Sequence, residues 1–388
     1  MEYKVIGGKE WSFSDHIYFK LTGKTIISEY NPIIHAKITR IPQKIAKKNI
    51  YVLCWDCPTF KDVDCNYLFH VFDKNKVDYV ISTSSGNTVE GVARAIKKYN
   101  QEKNKNIKAI LLVPELSSFK VASNVLENNP YVIYIVLKNS TLDSIRAVAA
   151  ELIKKMSNKY SVVSADADMK TAAYSQIGLL LNQYNLMNEN TCYVQTVSGG
   201  VGPTGFIEAS NELNVKPEIL VIQPINGNSV PIIDALDEHS RGNDPISIIE
   251  HGNYETSTIE TTLGSTRPIY AVKKYIKWRE DGGRISGTRV INNELLKYRN
   301  KVLKFLIEAG IYPNEELGLH YYELEKSGFI AFTGTFNSID IIESENIVIN
   351  FTGRYIDPTS TFPKTATPHI LFDPLKGIDE LLKVLELD

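Results

Sequence analysis

The stretch "TCYVQTVSGGVGPTGFIEA", residues 191–209, decides how the rest of the chain is read. Its first seven residues are rich in β-branched and aromatic types, the signature of a buried strand. The next eight, "SGGVGPTG" at 198–205, are small and flexible, and a helical pattern follows from about residue 204 to 214. Strand, glycine turn and helix in that order set a helix N-terminus at the carboxyl end of a strand. The first N–H groups of a helix have no partner within it, so such a turn is a ready anion site.

Gly200, Gly202 and Gly205 also satisfy GxGxxG, the fingerprint of dinucleotide binding, so an NAD(P)-binding dehydrogenase has to be weighed. That reading asks for an acid on the ribose roughly twenty residues further on. The chain there reads "VIQPING" (221–227), with no Asp or Glu. A single phosphate asks only for a few N–H groups and a helix N-terminus. Pro203 removes one N–H, and the Thr204 hydroxyl is placed to replace it. A lone phosphate is favoured, with the dehydrogenase kept as the alternative from another class.

The alternation extends in both directions. "DYVIST" (78–83), "KAILLVP" (108–114), "YVIYIVL" (131–137), "YSVVS" (160–164), "EILVIQP" (218–224) and "NIVINFTG" (346–353) read as strands. Helical patterns occupy 88–99, 141–156 and 377–387. Strands separated by helices predict an α/β protein with mostly parallel sheets, whose ligand site lies at the carboxyl ends of strands. The polar stretch 240–290 has no clear period and is expected to wrap the surface or cover a cleft.

Three more segments fall at such ends. "STSSGNT" (82–88) closes a strand and opens a helix, with Asn87 or Thr88 placed to cap it. Its N–H groups and hydroxyls would make a nest for a carboxylate; capping alone is the plainer account. "NFTG" (350–353) carries Thr352, by itself only a turn residue. "CPTFKDVDC" (57–65) sets Lys61 at the start of a helix, where a lysine is usually a solvated charge. In a desolvated site it can instead form a Schiff base with an aldehyde and then act as a base.

Lysine, SGNT, glycine turn and threonine in this chain order resemble the fold type II pyridoxal-phosphate enzymes, the group of threonine synthase, cysteine synthase and tryptophan synthase β-subunit. The resemblance implies two domains, each with a mostly parallel open sheet flanked by helices. Residues 1–64 and 168–388 would form the larger, cofactor-binding one, and 65–167 a smaller mobile one carrying the SSGNT loop. It implies pyridoxal 5'-phosphate held on Lys61, with Asn87 at the ring oxygen and Thr352 at the ring nitrogen. Gly200, Val201, Gly202 and Thr204 would hold its phosphate, and Ser84, Ser85 and Thr88 the substrate carboxylate.

"SADADMKTAA" (164–173), "YVQTVSGGVGPTGFIEA" (193–209), "TLGSTRPIYAVKKYI" (262–276) and "VINFTGR" (348–354) are similar to the cysteate synthase branch, a threonine synthase relative. That branch implies β-replacement or elimination on O-phosphoserine, with sulfite or another nucleophile, through an aminoacrylate. Threonine synthase chemistry on O-phosphohomoserine is the alternative. Val63, Val89–Glu90, Pro203 and the "TGR" ending depart from the family pattern, and a cysteine-bearing N-terminal segment of the branch is missing. These weaken the substrate assignment more than the cofactor assignment. Anionic groups on donor and nucleophile call for positive charge, with Arg267, Lys273, Arg289 and Arg354 as candidates. A scaffold that has lost catalysis would have no chemical need for Lys61.

The bulk numbers fit. The chain has 388 residues, enough for two domains, and a net charge of −2, which gives no electrostatic case for nucleic acid or an anionic membrane. No apolar run reaches the roughly 18 residues of a membrane span. "MEYKVIGGKEW" lacks the pattern of a signal peptide, so a cytoplasmic location is expected. Four cysteines make no disulfide framework, and the Cys54–Cys57 CxxC lacks two further ligands, so no metal is expected. A homodimer is usual for the family.

Overall fold

The computed structural model describes residues 5–6, 9–10, 13–24, 36–56, 61, 65, 67–69, 71–72, 75–84, 87–126, 128–225, 230–254, 259–260, 263–324, 326–353 and 364–387. Its strands are β1 (Val5–Ile6), β2 (Lys9–Glu10), β3 (Ala36–Arg40), β4 (Asn49–Asp56), β5 (Tyr79–Thr83), β6 (Lys108–Pro114), β7 (Val132–Leu137), β8 (Val162–Val163), β9 (Thr191–Thr196), β10 (Glu218–Pro224), β11 (Ile285–Val290), β12 (Asn346–Gly353) and β13 (Ile370–Phe372). They form a short β1–β2 ribbon and two larger sheets, one in each of two compact units.

The larger unit holds the six-stranded sheet, in the order β11-β10-β9-β12-β4-β3. Its strands run parallel, except that edge strand β3 pairs antiparallel with β4. Every residue of β9 and β10 is buried, as expected of central parallel strands covered on both faces. On one face Ile50, Val52, Val194, Ile222 and Ile349 pack with Phe329 and Phe332 of the helix Ser327–Ser338. On the other, Tyr193 stacks on Phe206 of the helix Val201–Leu213 at 4.2 Å, and Trp55 meets Tyr174 of the helix Ala167–Gln183 edge-on at 5.7 Å. Those two helices come close at Gly205, where a Cβ would stand 2.4 Å from Tyr174 Cβ.

The smaller unit holds a parallel five-stranded sheet in the order β13-β7-β6-β5-β8. Ile81, Ile110, Leu112 and Ile135 pack with Ile145 and Leu152 of the helix Leu142–Met156. A capping box of Thr141 and Ser144 starts that helix. The two sheets flanked by helices are the expected fold class.

The division differs from the expected one. Residues 58–169, 361–388 and 25–33 form the smaller unit, and the rest the larger. The C-terminal segment belongs to the smaller unit for a physical reason: β13 extends its sheet beside β7, and Leu381 of the helix Ile378–Val384 enters its core. The polar stretch 240–290 also differs from expectation. It forms the helices Pro245–His251, capped by Asp244, and Ile269–Glu280, then edge strand β11. Among the described residues no helix is long and apolar enough to cross a membrane.

Candidate active site

The glycine turn follows β9 at the carboxyl end of the larger sheet, beside the ends of β12 and β10. It is held from outside. Gly200 has φ 74°, in the left-handed region that favours glycine, and caps the helix Val201–Leu213. A Cβ on it would stand 2.6 Å from Ala271 Cβ. The Tyr275 hydroxyl donates to Gly200 O at 2.5 Å, and Ser265 N–H donates to Ser198 Oγ at 3.1 Å. Burial pushes the Tyr275 phenol well above its ordinary value, so it remains an O–H donor. Gly202 is as tightly required: a Cβ there would stand 2.3 Å from Gln195 Nε2. Val201 is half-buried at the turn.

Thr204 differs from expectation. It is fully buried, and its hydroxyl donates to Val201 O at 2.7 Å. It then accepts from Thr171 at 2.8 Å, which in turn accepts from Tyr270 at 3.0 Å. Its one proton is committed, so its hydroxyl does not replace the donor lost at Pro203. The donors left to an anion are the backbone N–H groups of the first helical turn, among them those of Val201 and Gly202. Where a dinucleotide site needs its acid, β10 carries Gln223 as its penultimate residue. Its Oε1 accepts from Ile232 N and Ile233 N at 3.0 and 3.2 Å and so starts the helix Pro231–Ser240.

Thr352 lies near the end of β12, opposite Trp55 of β4. Its side chain, that of Asn87, and all of Ser85 and Arg354 lie outside the described residues. Arg289 is no anion receptor, because it is ion-paired with Asp234 at 2.6 Å and Asp237 at 3.0 Å. Arg267 and Lys273 are exposed.

In the smaller unit Lys61 is a helical residue only 7% exposed. The solvated first-turn charge is therefore set aside. Gly91, in the helix Asn87–Lys103, makes room for it: a Cβ there would stand 2.8 Å from Lys61 O and 3.0 Å from Lys61 Cβ. One turn on, Cys65 Sγ lies 4.0 Å from Thr88 O. Ser84 contributes a cap to this helix, its Oγ accepting from Thr88 N at 3.3 Å. Glu90, 1% exposed, accepts from Ala122 N at 2.7 Å and lies 3.7 Å from Arg94. Lys61, Ser84 and Thr88 thus gather around one helix start, and Gly200, Val201 and Gly202 around another. Gln195 and Tyr275 were not in the expected set; each reads locally as an ordinary strand or helix residue.

No protein-family model and no curated protein sequence matches the chain. Solved structures do. A pyridoxal 5'-phosphate-dependent aspartate racemase is similar at a TM-score of 0.58 with 15% identity, over 89% of this chain and 95% of that one. Serine racemase from Dictyostelium discoideum is similar at 0.54 and 18%, over 89% and 98%. Threonine synthase from Escherichia coli is similar at 0.57 and 14%, over 92% and 76%. At such identities the likeness is one of fold, and it matches the fold class expected from the sequence.

Proposed function

We propose that this chain is a pyridoxal 5'-phosphate-dependent enzyme acting on an amino acid, and within that class a β-replacement or elimination enzyme of the cysteate synthase kind. Its substrates would be O-phosphoserine and sulfite or another nucleophile. The buried Lys61 carries this reading, because a lysine taken out of water can form a Schiff base with an aldehyde and then act as a base. The fold shared with an aspartate racemase described as dependent on this coenzyme supports it.

The residues present fit the coenzyme. Lys61 offers an amine for its aldehyde, and the glycine turn offers backbone N–H groups at a helix start for its phosphate. Thr204 would contribute to that turn through its backbone and its hold on Val201. Asn87 would meet the ring oxygen and Thr352 the ring nitrogen. When bound, the coenzyme supplies an electron sink that weakens the bonds at the substrate Cα.

The chain's own residues do the rest. The freed amine of Lys61 takes the proton from Cα and can return it, acting as a positioned general base. Ser84, Ser85 and Thr88 orient the substrate through its carboxylate, which a helix start favours. Thr352 has no charge with which to hold a proton on the ring nitrogen, and this suits elimination and replacement over transamination. A homodimer is the expected assembly.

The test is phosphate release from O-phospho-L-serine by the purified protein with coenzyme added. The reading predicts release that requires the coenzyme, with cysteate formed when sulfite is present. The fold likeness to a threonine synthase favours a second reading, in which phosphate comes from O-phosphohomoserine instead. Failure to take up the coenzyme, with no release from either donor, would overturn both.

A further inference from the structure

Four buried polar side chains run in a line beneath the glycine turn of the larger unit. Trp55 in β4, Asn350 in β12, and Tyr193 and Gln195 in β9 are 1, 0, 0 and 6% exposed. The register accounts for their meeting: Asn350 lies opposite Gln195, and Val348 opposite Tyr193, so all three polar residues share one sheet face. The Trp55 indole N–H donates to Asn350 Oδ1. Asn350 Nδ2 donates to Tyr193 Oη at 2.5 Å, and the Tyr193 hydroxyl donates to Gln195 Oε1 at 2.7 Å.

This chain of bonds has only one possible direction. An amide can ordinarily be turned end for end without changing its shape. An indole nitrogen, however, is a donor only. It holds the Asn350 oxygen towards Trp55, which leaves the Asn350 NH₂ facing Tyr193. Tyr193 must then accept, and its single proton goes on to Gln195. The Gln195 oxygen is thereby occupied, and its NH₂ is left over.

That NH₂ has no hydrogen-bond partner among the described residues, and it lies against Gly202, the second residue of the helix Val201–Leu213. The nitrogen is not among the described side-chain atoms that are wholly buried without a partner, so it is open to an incoming acceptor although the residue is 6% exposed. An acceptor held at the start of this helix would satisfy it together with the unpaired backbone N–H groups. The turn is short of donors in just this place, since Pro203 has no N–H and the Thr204 hydroxyl is committed to Val201 O.

We infer that Gln195 is a further binding residue, which donates an amide N–H to an oxygen of a phosphate monoester held at the glycine turn. Trp55, Asn350 and Tyr193 are positioning residues that keep the amide turned to donate. That the phosphate belongs to a coenzyme rests on the function proposed above; the polarity of the bond chain does not.

The test titrates the full-length protein with pyridoxal 5'-phosphate, pyridoxal and inorganic phosphate, comparing wild type with Gln195→Glu. The substitution keeps the acceptor for Tyr193 and replaces the donor with a carboxylate. The dissociation constant for pyridoxal 5'-phosphate should rise roughly 10- to 100-fold, the range for a lost hydrogen bond to a charged group. That for pyridoxal should stay within about two-fold, since its contacts lie elsewhere. The phosphorus resonance of the bound ligand should also shift. Trp55→Phe should weaken phosphate binding in the same direction by a smaller factor, because the amide is freed to turn. Should Gln195→Glu fail to fold, Gln195→Met removes the donor without adding charge and reads the same ratio.

If the folded variant binds pyridoxal 5'-phosphate as wild type does, the inference is overturned and the coenzyme reading stands. A wild type that takes up no coenzyme, yet binds inorganic phosphate in a way lost in Gln195→Glu, supports the inference and overturns the coenzyme reading.

Discussion

The turn after β9 and the turn after β5 both open a helix at the carboxyl end of a parallel strand, yet they are built differently. The first is a glycine turn fastened from outside: Tyr275 bonds Gly200, Ser265 bonds Ser198, and Gln195 lies against Gly202. In the second, a side chain of the turn itself takes part, the Ser84 hydroxyl accepting from Thr88 four residues on. A turn clamped by buried neighbours presents backbone donors in one fixed geometry. A turn capped by its own hydroxyl keeps side chains in the binding role and can be altered with little effect on its surroundings. Under the proposed function the fixed turn would hold the coenzyme phosphate, common to every turnover, and the other the substrate.

If the comparison holds, damage to the clamped turn should be the more costly. Gly200→Ala combines a left-handed backbone with a Cβ 2.6 Å from Ala271 Cβ and should lose about 2–4 kcal/mol of stability in urea unfolding. A loss no greater than that of Ser84→Ala would break the comparison. Gly91→Ala should come next, at about 1–3 kcal/mol, since its Cβ would meet the Lys61 carbonyl at 2.8 Å. Because the collision is with backbone at Lys61, this variant should also lose turnover out of proportion to its stability.

Alkaline pH adds a graded effect on the larger unit. Burial pushes the Cys54 thiol from 9.0 up to about 12. Below pH 9 the thiol is protonated in both folded and unfolded chains, and its contribution is fully present. Between pH 9 and about 12 the unfolded chain gives up a proton that the folded one keeps, so stability falls as pH rises. Cys54→Ala should remove a slope of about 1.4 kcal/mol per pH unit over that window, read from urea midpoints. Ser84→Ala should cost least, at about 1 kcal/mol for a lost cap.

The parts of the fold that were legible in the sequence are those whose signal is local. β9 and β10 are wholly buried and read as apolar runs, and the glycine turn stands out between strand and helix. β11 escaped notice because "ISGTRV" is an edge strand, half-buried over its middle residues. β13 escaped because three residues carry no period.

At the candidate site, Lys61 and the turn glycines were legible because their residue types have few other uses in such places. Their partners were not. Tyr275 reaches Gly200 across 75 residues and Asn350 reaches Tyr193 across 157, and nothing in either neighbourhood signals the contact. Thr204 and Arg289 misled for the same reason: Thr171 beside one, and Asp234 with Asp237 beside the other, are set by packing between elements.

The most direct measurement is borohydride reduction of the purified protein loaded with pyridoxal 5'-phosphate, followed by peptide mass mapping. The account predicts a phosphopyridoxyl group fixed on the peptide that carries Lys61, and its loss in Lys61→Ala with the fold retained. The same group found on another lysine, or on none, would contradict it.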